Sequence, residues 1–432
     1  MTTAEDNRAS IIAYFESGSK DNDRKLGVEV EHFIIVEEDG TPFTYEAQGS
    51  VPGLQDVLTH LLETYPIIFQ NTEGELIGCA NDEASITLEP SAQIEVSIAP
   101  FERIADIARA YEHFRTTIDP YLADHGAKLV NAGYHPTRKA EELTLIPKER
   151  YRLMDKHFAD LGTLGLRMMR ASASTQVSID YTDEADAVRK IRIASALAPI
   201  LGAIADNVAV YEREVGAYPL VRLAVWRNVD DDRCGVVPGV FSPSFGFGAY
   251  ADWLLDASPI FINVKQSDGT SKEQAESKRP AGEVYADTAM TKGDIEHLIS
   301  MFWPDVRLKR FVEIRPADSL PQEYLEGYAA LIKGLFYSEE NLAALECELG
   351  VKKSADGRDA WPLDEQAVED AIDAIRHSGY NARFYGADPK TLREWEQLLF
   401  SLARIALPED EKDYLKGIEH FALNKEWKLV QA

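Results

Sequence analysis

Glu29 and Glu31, in the stretch Leu26–Val36 (LGVEVEHFIIV), are where chemistry could begin, because strand alternation turns both carboxylates, with Phe33 and Ile35, to one side. Val28, Val30, His32 and Ile34 make the other side, which is mostly apolar and suits a core. Like charges on a half-buried face repel unless something cationic stands between them. Three further stretches repeat the pattern. ITLEPSAQIEVSI, residues 86–98, carries Glu89, Gln93 and Glu95; Pro90 interrupts the strand, so only Gln93 and Glu95 are assigned to one face. Residues 174–181 set Gln176, Ser178 and Asp180 against Thr175, Val177 and Ile179. Residues 306–315 set Arg307, Lys309, Phe311, Glu313 and Arg315 against Leu308, Arg310, Val312 and Ile314. Five or more carboxylates among several cations suit Mg²⁺ or Mn²⁺, and magnesium held by few carboxylates keeps waters and substrate phosphate oxygens as its other ligands. Nucleotide chemistry is the first expectation. A P-loop is absent, since Gly162-Thr163-Leu164-Gly165 lacks the Lys-Ser/Thr that such a loop needs.

Four strands from distant parts of the chain must share one sheet to bring these residues together. The economical assembly is an α+β fold: a mostly antiparallel sheet with helices on its apolar face and a cleft on its charged face. The periodicity predicts a leading helix over 5–17, a return strand over 42–45, helices over 54–65 and 101–118, a hairpin over 69–84 and a strand over 129–134. Pro147 suits the first turn of a helix that continues through Tyr151. A long core helix is expected over 183–211. Residues 222–248 combine arginines, aspartates, glycines and aromatics in a pattern that suits a lid or substrate collar. Beyond residue 320 the chain reads as helices (321–336, 338–347, 364–378, 389–406, 409–423), with Trp361, Trp395 and Trp427 as packing anchors. One catalytic unit, 1–320, with a helical region, 321–432, packed on it is expected in place of two independent domains.

Composition narrows the partners. With 432 residues, 45% of them hydrophobic, the chain can bury one large core or two modest ones, and its net charge of −28 argues against nucleic acid or an anionic membrane. A small anionic substrate can still bind where cations are concentrated. Cys79, Cys234 and Cys347 are odd in number and far apart, which indicates neither a zinc site nor a disulfide framework and fits a reducing cytoplasm. No apolar run of about 18 residues is present, so a soluble, unexported protein is expected.

GVEVEH, SITLEPSAQIEVSIAP, PKERYRLM, GTLGLRMM, STQVSIDY, VWRNVDDDRCG, SPSFGFGAY and FWPDVRLKRFVEIRPAD resemble, in order, the motifs of the plant and proteobacterial type of glutamate-cysteine ligase. The resemblance runs from about residue 24 to 320. It implies a glutamine-synthetase-like fold and ATP-dependent joining of the L-glutamate γ-carboxyl to the L-cysteine amine, the first step of glutathione synthesis. By resemblance, Glu29, Glu31, Glu89, Glu95 and Glu313, with Gln176 beside them, would bind the magnesium ions that bridge the ATP phosphates. Arg315 would meet the transferring phosphoryl group, Lys309 would neutralise phosphate, and Arg222 and Arg233 would address substrate carboxylate or phosphate. Arg150, Tyr151, Met168 and Trp226 would stand near the amino acids. The chain departs from the family where Glu89-Pro90-Ser91-Ala92-Gln93 replaces Glu-Pro-Gly-Gly-Gln and where Ile98 replaces a glycine. These changes leave a sibling ligase with another amine or acid open, alongside a non-catalytic metal-dependent or nucleotide-binding regulator. The regulatory cysteine pairs of plant members have no counterpart, and His32, facing away from the glutamates, is expected to pack.

Overall fold

A computed structural model describes residues 3–21, 24–216, 218–265, 271–353 and 359–430. Its centre is a nine-stranded sheet in which strand β1 is Leu26–Val36, β2 Ile67–Gln70, β3 Leu76–Ala80, β4 Ala84–Leu88, β5 Ile94–Phe101, β6 Ala127–Val130 and β7 Thr175–Ile179. The strands Val306–Leu308 and Val312–Ile314 complete it, and the order across the sheet runs from Val306–Leu308 and Val312–Ile314 through β7, β1, β5, β4 and β3 to β2, with β6 on the far half of β1. Every pairing is antiparallel. The charged stretches read from the sequence therefore lie side by side.

Alternation along β1 explains the layering. Val28, Val30 and Ile34 are buried, while Glu29 and Glu31 keep partial access to the other side. Helices α1 (Thr3–Glu16), α2 (Leu54–Leu61), α3 (Ile104–Asp124), α4 (Glu149–Leu161), α5 (Gly165–Ala171), α6 (Glu184–Ile204) and α7 (Val221–Trp226) follow in chain order. Behind the sheet lie α3, α6 and Gln322–Phe336, which contact β5 and β6, the two last strands, and β7 and β1 respectively. From Ile191 to Ile204 every residue of α6 is buried, because the helices Glu365–Ser378 and Leu415–Leu423 cover its far side. On the front, α4, α5, α7 and Lys292–Ile299 frame the charged face.

Several expectations need correction. Residues 42–45 form no strand; a single bridge joins Ile35 to Pro42. The hairpin expected over 69–84 is a three-strand meander ending in β4. The strand expected over 129–134 is Ala127–Val130, and the helix after Pro147 starts at Glu149. The long helix stops at Ile204, where side chains from elsewhere take over its terminal carbonyls: Lys425 binds those of Ala203 and Ile204. Residues 222–248, expected as a lid or substrate collar, fit the collar, with Arg222 and Trp226 on the charged side. Val229, Val237, Val240 and Phe245 are buried, and Arg192 donates to the carbonyls of Val240 and Ser242, so this stretch is packed wall. Four of the C-terminal helices fall within three residues of their expected bounds, whereas 409–423 divides into a 3₁₀ helix, Glu409–Tyr414, and the α-helix Leu415–Leu423; Trp395 is fully buried among them. Among the described residues no helix is long and apolar enough to cross a membrane.

Candidate active site

The register of β1 builds the floor. Glu31 stands directly opposite Glu95 on β5, and Glu95 stands opposite Thr87 on β4; one row along, Glu29 lies between Gln176 and Ser97. Opposed side chains on one face of an antiparallel pair have Cβ atoms about 5 Å apart, and like charges so placed destabilise the sheet. Glu89 joins them from the turn between β4 and β5. That turn is tight: Ala92 takes φ +70, a left-handed conformation most natural to glycine, and Gln93 braces it by accepting from Ser91 N and donating to the carbonyls of Arg170 and Ser172.

All four glutamates line a cavity of about 510 Å³, within the range of small-molecule sites. Burial, with Glu95 adding, pushes the Glu29 carboxyl up to about 7; burial with Glu89 and Glu95 pushes Glu31 up to about 8; burial with Glu89 pushes Glu95 up to about 7. Glu89 is also raised by burial, with Lys148 and Arg150 opposing. Such crowding leaves the floor short of positive charge. Among the described residues no three acidic, histidine or cysteine side chains converge as a ready-made cation cage. The donor chemistry nonetheless fits a hard cation, since four mutually repelling carboxylates face one space.

The two last strands supply the cationic wall, where Arg307, Lys309 and Arg315 all line the cavity. Glu313 does not reach it. This side chain is fully buried, with Arg307 Nε 2.6 Å, Lys309 Nζ 2.7 Å and Arg315 Nη1 3.0 Å from its oxygens. Burial alone would raise this carboxyl; the three cations outweigh it and hold it well below the ordinary range. Glu313 is therefore placed as the counter-ion that orders the wall, behind the cavity lined by the four other glutamates expected with it as metal ligands. Gln176 lines the cavity with its carbonyl oxygen accepting from Arg315.

Arg222 enters from α7, its guanidinium donating to the carbonyls of Arg315 (3.1 and 3.2 Å) and Pro316 (3.3 Å). Its Nε, with Arg150 Nε and Trp226 Nε1, is a buried N–H without an acceptor, and all three residues line the cavity. Buried donors left unpaired are costly, and these three are enclosed in the wall and closed off from the cavity space. The remaining wall is softer: Tyr151, Met154, Met168 and Met169 from α4 and α5, and Trp303. Ile98 is not part of it; that residue pairs with Val28 and faces the core.

Arg233 also lies elsewhere. Its Nε is 2.6 Å from Asp230, which meets His157 at 2.9 Å, and its Nη2 donates to Ser258 O, so it braces the wall from behind. The loop carrying it has no period from which its direction could be read. Arg307, set on the charged face with Lys309 but given no role from the sequence, lines the cavity; residues missed from the sequence are Tyr14, Glu296 and Ser300, whose helices meet at the cavity mouth only in three dimensions. His32 packs as expected: Nδ1 donates to Ile94 O (3.1 Å), Nε2 accepts from Tyr111 (2.7 Å), and burial pushes it down to about 3. A wider cavity of about 1180 Å³ at the start of α6 is lined by charges that pair among themselves, as Arg189 does with Glu339 and Glu346.

The family model for glutamate-cysteine ligase family 2 matches residues 25–422. The chain is 30% identical over 346 residues to the chloroplastic glutamate-cysteine ligase of Arabidopsis thaliana, covering 78% of this chain and 64% of that protein. It is 31% identical over 346 residues to the chloroplastic glutamate-cysteine ligase B of Oryza sativa subsp. japonica, covering 78% and 68%. The chain thus spans 64 to 68% of the length of these plant relatives. Its fold matches a solved glutamate-cysteine ligase from Francisella tularensis in complex with AMP, with a TM-score of 0.51 and 11% identity over 94% of this chain and 83% of that one.

Proposed function

Because the chain belongs to glutamate-cysteine ligase family 2, we propose that it joins the γ-carboxyl of L-glutamate to the amine of L-cysteine at the expense of ATP, giving γ-glutamylcysteine, ADP and phosphate. The observation that carries this reading is Glu31 directly opposite Glu95 on the floor of a cavity whose wall holds Arg222, Arg307, Lys309 and Arg315. A carboxylate is a poor electrophile and first takes a phosphoryl group from ATP, so two anions must meet. Arg307, Lys309 and Arg315 offset that repulsion, and Glu313 holds them in place. Arg222 and Arg150, whose side chains line the cavity, bind the glutamate carboxylate groups. Tyr151, Met154 and Met168 form the apolar side, which keeps water from the acyl phosphate until the amine attacks.

Magnesium or manganese is part of the proposal, with Glu29, Glu31, Glu89 and Glu95 as its holders and Gln176 beside them. When bound, the cation supplies positive charge to the phosphate oxygens. We also propose that residues 1–320 form the catalytic part and that 321–432 pack on it as one unit, which the single hydrophobic core supports. Three unpaired cysteines, one of them exposed, support a reducing compartment, taken as the cytoplasm. Small molecules are the expected partners.

The experiment offers the purified chain ATP, magnesium, L-glutamate and each amino acid in turn, with phosphate release as readout. L-cysteine is expected to be preferred and L-2-aminobutyrate to serve, because one group in a small recess is worth about 10- to 200-fold in specificity. If another amine drives turnover and cysteine does not exceed the glutamate-only control, the amine assignment fails.

A further inference from the structure

The C-terminal segment reaches the active site from behind, through a side chain beyond the stretch that the family model matches. Lys425 follows the helix Leu415–Leu423, and that match ends at residue 422. Its Nζ donates to the carbonyls of Ala203 (2.7 Å) and Ile204 (2.8 Å), the last residues of α6. Terminal helix carbonyls lack intrahelical donors and carry the negative end of the dipole, so a cation is held well there. The Phe421 ring lies 4.2 Å from the same nitrogen. Burial pulls the ammonium down to about 8, so it remains largely protonated at neutral pH.

Three acids act on Lys425, namely Asp206, Glu396 and Asp318, and they are not equivalent. Glu396 is fully buried and neither of its oxygens has a hydrogen-bond partner; burial pushes it up to about 8, which keeps it protonated. Asp318 accepts from Asn207 N and is pushed up to about 7 by burial, with Asp206 adding. Asp206 accepts two backbone N–H groups, from Leu220 at 2.6 Å and Val208 at 3.4 Å, and such bonds favour the ionised form. Burial pushes Asp206 up, and Lys425 is the largest influence pulling it back. Lys425, bound to the end of α6 two residues before Asp206, therefore offsets the charge of Asp206 against the effect of burial.

What Asp206 holds gives this charge its consequence. Leu220 stands before α7 with φ +56, a left-handed conformation that a leucine adopts only at a cost. Its N–H is fixed by Asp206. Helix α7 has six residues, too few to hold a direction unaided. It carries Arg222 and Trp226, both in the cavity wall. Asp318, in the same cluster, is the foremost charge acting on the Arg222 guanidinium, and it packs so close to Gly133 that a Cβ there would fall 2.2 Å from its carboxyl carbon. The cluster thus joins the C-terminal segment, the residues before α7 and those after Arg315 directly behind the two arginines.

We propose that Lys425 is a positioning residue for substrate binding: by offsetting Asp206 it keeps the Leu220 N–H clamped and so aims Arg222 and Trp226 into the cavity. The proposal rests on the reading that Arg222 binds L-glutamate.

The test compares full-length wild type with Arg222→Ala, Lys425→Met, Lys425→Arg and the double variant Lys425→Met with Asp206→Asn, each assayed below its unfolding midpoint with ATP, magnesium, L-glutamate and L-cysteine. Lys425→Met keeps the alkyl stem and removes the charge. It is expected to raise KM for L-glutamate about tenfold while kcat changes less than about twofold, and Lys425→Arg is expected to recover most of the loss. Asp206→Asn keeps an oxygen for the Leu220 N–H and removes the uncompensated charge, so the double variant should return to within about threefold of wild type. A helix cap with no bearing on the site would lower the unfolding midpoint and leave KM unchanged; that result overturns the proposal, as does a KM defect that Asp206→Asn fails to relieve. If Arg222→Ala raises KM and Lys425→Met does not, the proposal alone fails. If Arg222→Ala leaves KM unchanged, or wild type shows no turnover, the reading of the site fails and the proposal with it. Should Lys425→Met not fold, Lys425→Gln takes its place with the same expectations, since it still donates to the α6 carbonyls without the charge.

Discussion

Glu31 and Glu313 are glutamates on the charged side of one sheet, and their surroundings give them opposite duties. Glu31 faces Glu95 across the strands and has a raised pKa; Glu313 is surrounded by Arg307, Lys309 and Arg315 and has a lowered one. Glu31→Gln should abolish ATP-dependent turnover and leave the unfolding midpoint unchanged or higher, because it removes one of two opposed like charges. Glu313→Gln should abolish turnover too, but at a stability cost on the order of 3 kcal/mol, since it strips the counter-ion from buried cations. Chemical denaturation of both variants checks this, and a Glu313→Gln protein as stable as wild type would contradict the counter-ion role. Parity alone made both residues legible as members of one face. It did not separate a carboxylate set against another carboxylate from one already holding three cations, because that distinction lies in the register, which sets Glu313 opposite Arg307. Arg233 was illegible for a different reason: it lies in an irregular loop, where no period tells which way a side chain points.

At the scale of elements, the floor is the product of β1 set between β7 and β5. Its carboxylates make the metal-free sheet sensitive to pH. Glu29, Glu31 and Glu95 have folded values of about 7, 8 and 7 against an ordinary 4.5. Between these limits the folded chain holds protons that the unfolded chain has released, so this stability is full below pH 4.5 and is lost as pH rises through 7 to 8. The metal-free unfolding midpoint should therefore fall from pH 6.5 to 8; buried His32 and His135, held down to about 3, oppose this only near pH 6.5, where the unfolded imidazoles are about half protonated, and the three carboxylates outweigh them. Magnesium should raise the midpoint more at pH 8 than at pH 6.5, because its ligands must be ionised. A metal-free midpoint that climbs over this window, or an equal magnesium shift at both ends, would contradict a crowded floor. The strands that build it were legible because one face of each is buried, which fixes alternation firmly. For residues 222–248 lid and collar could not be told apart, because their glycines and charges mask buried valines and phenylalanines that no period reveals, and the end of α6 depends on Lys425, more than 200 residues away.

For the whole molecule, the arrangement reconciles a net charge of −28 with the proposed anionic substrates by drawing Arg150, Arg222, Arg307, Lys309 and Arg315 to one cavity. The helices Gln322–Phe336 and Leu415–Leu423 close the back of the sheet and of α6, and the segment after them carries Lys425 into the support of α7. That contribution was invisible in the sequence, since a lone lysine near the end of a chain reads as surface. The central claim is that this cavity moves a phosphoryl group from ATP to the γ-carboxyl of L-glutamate before the amine attacks. The direct measurement places ¹⁸O in that γ-carboxyl and follows the label during turnover with L-cysteine. One labelled oxygen should appear in each phosphate released, alongside ADP; unlabelled phosphate, or AMP with pyrophosphate, would contradict the acyl phosphate and the account built on it.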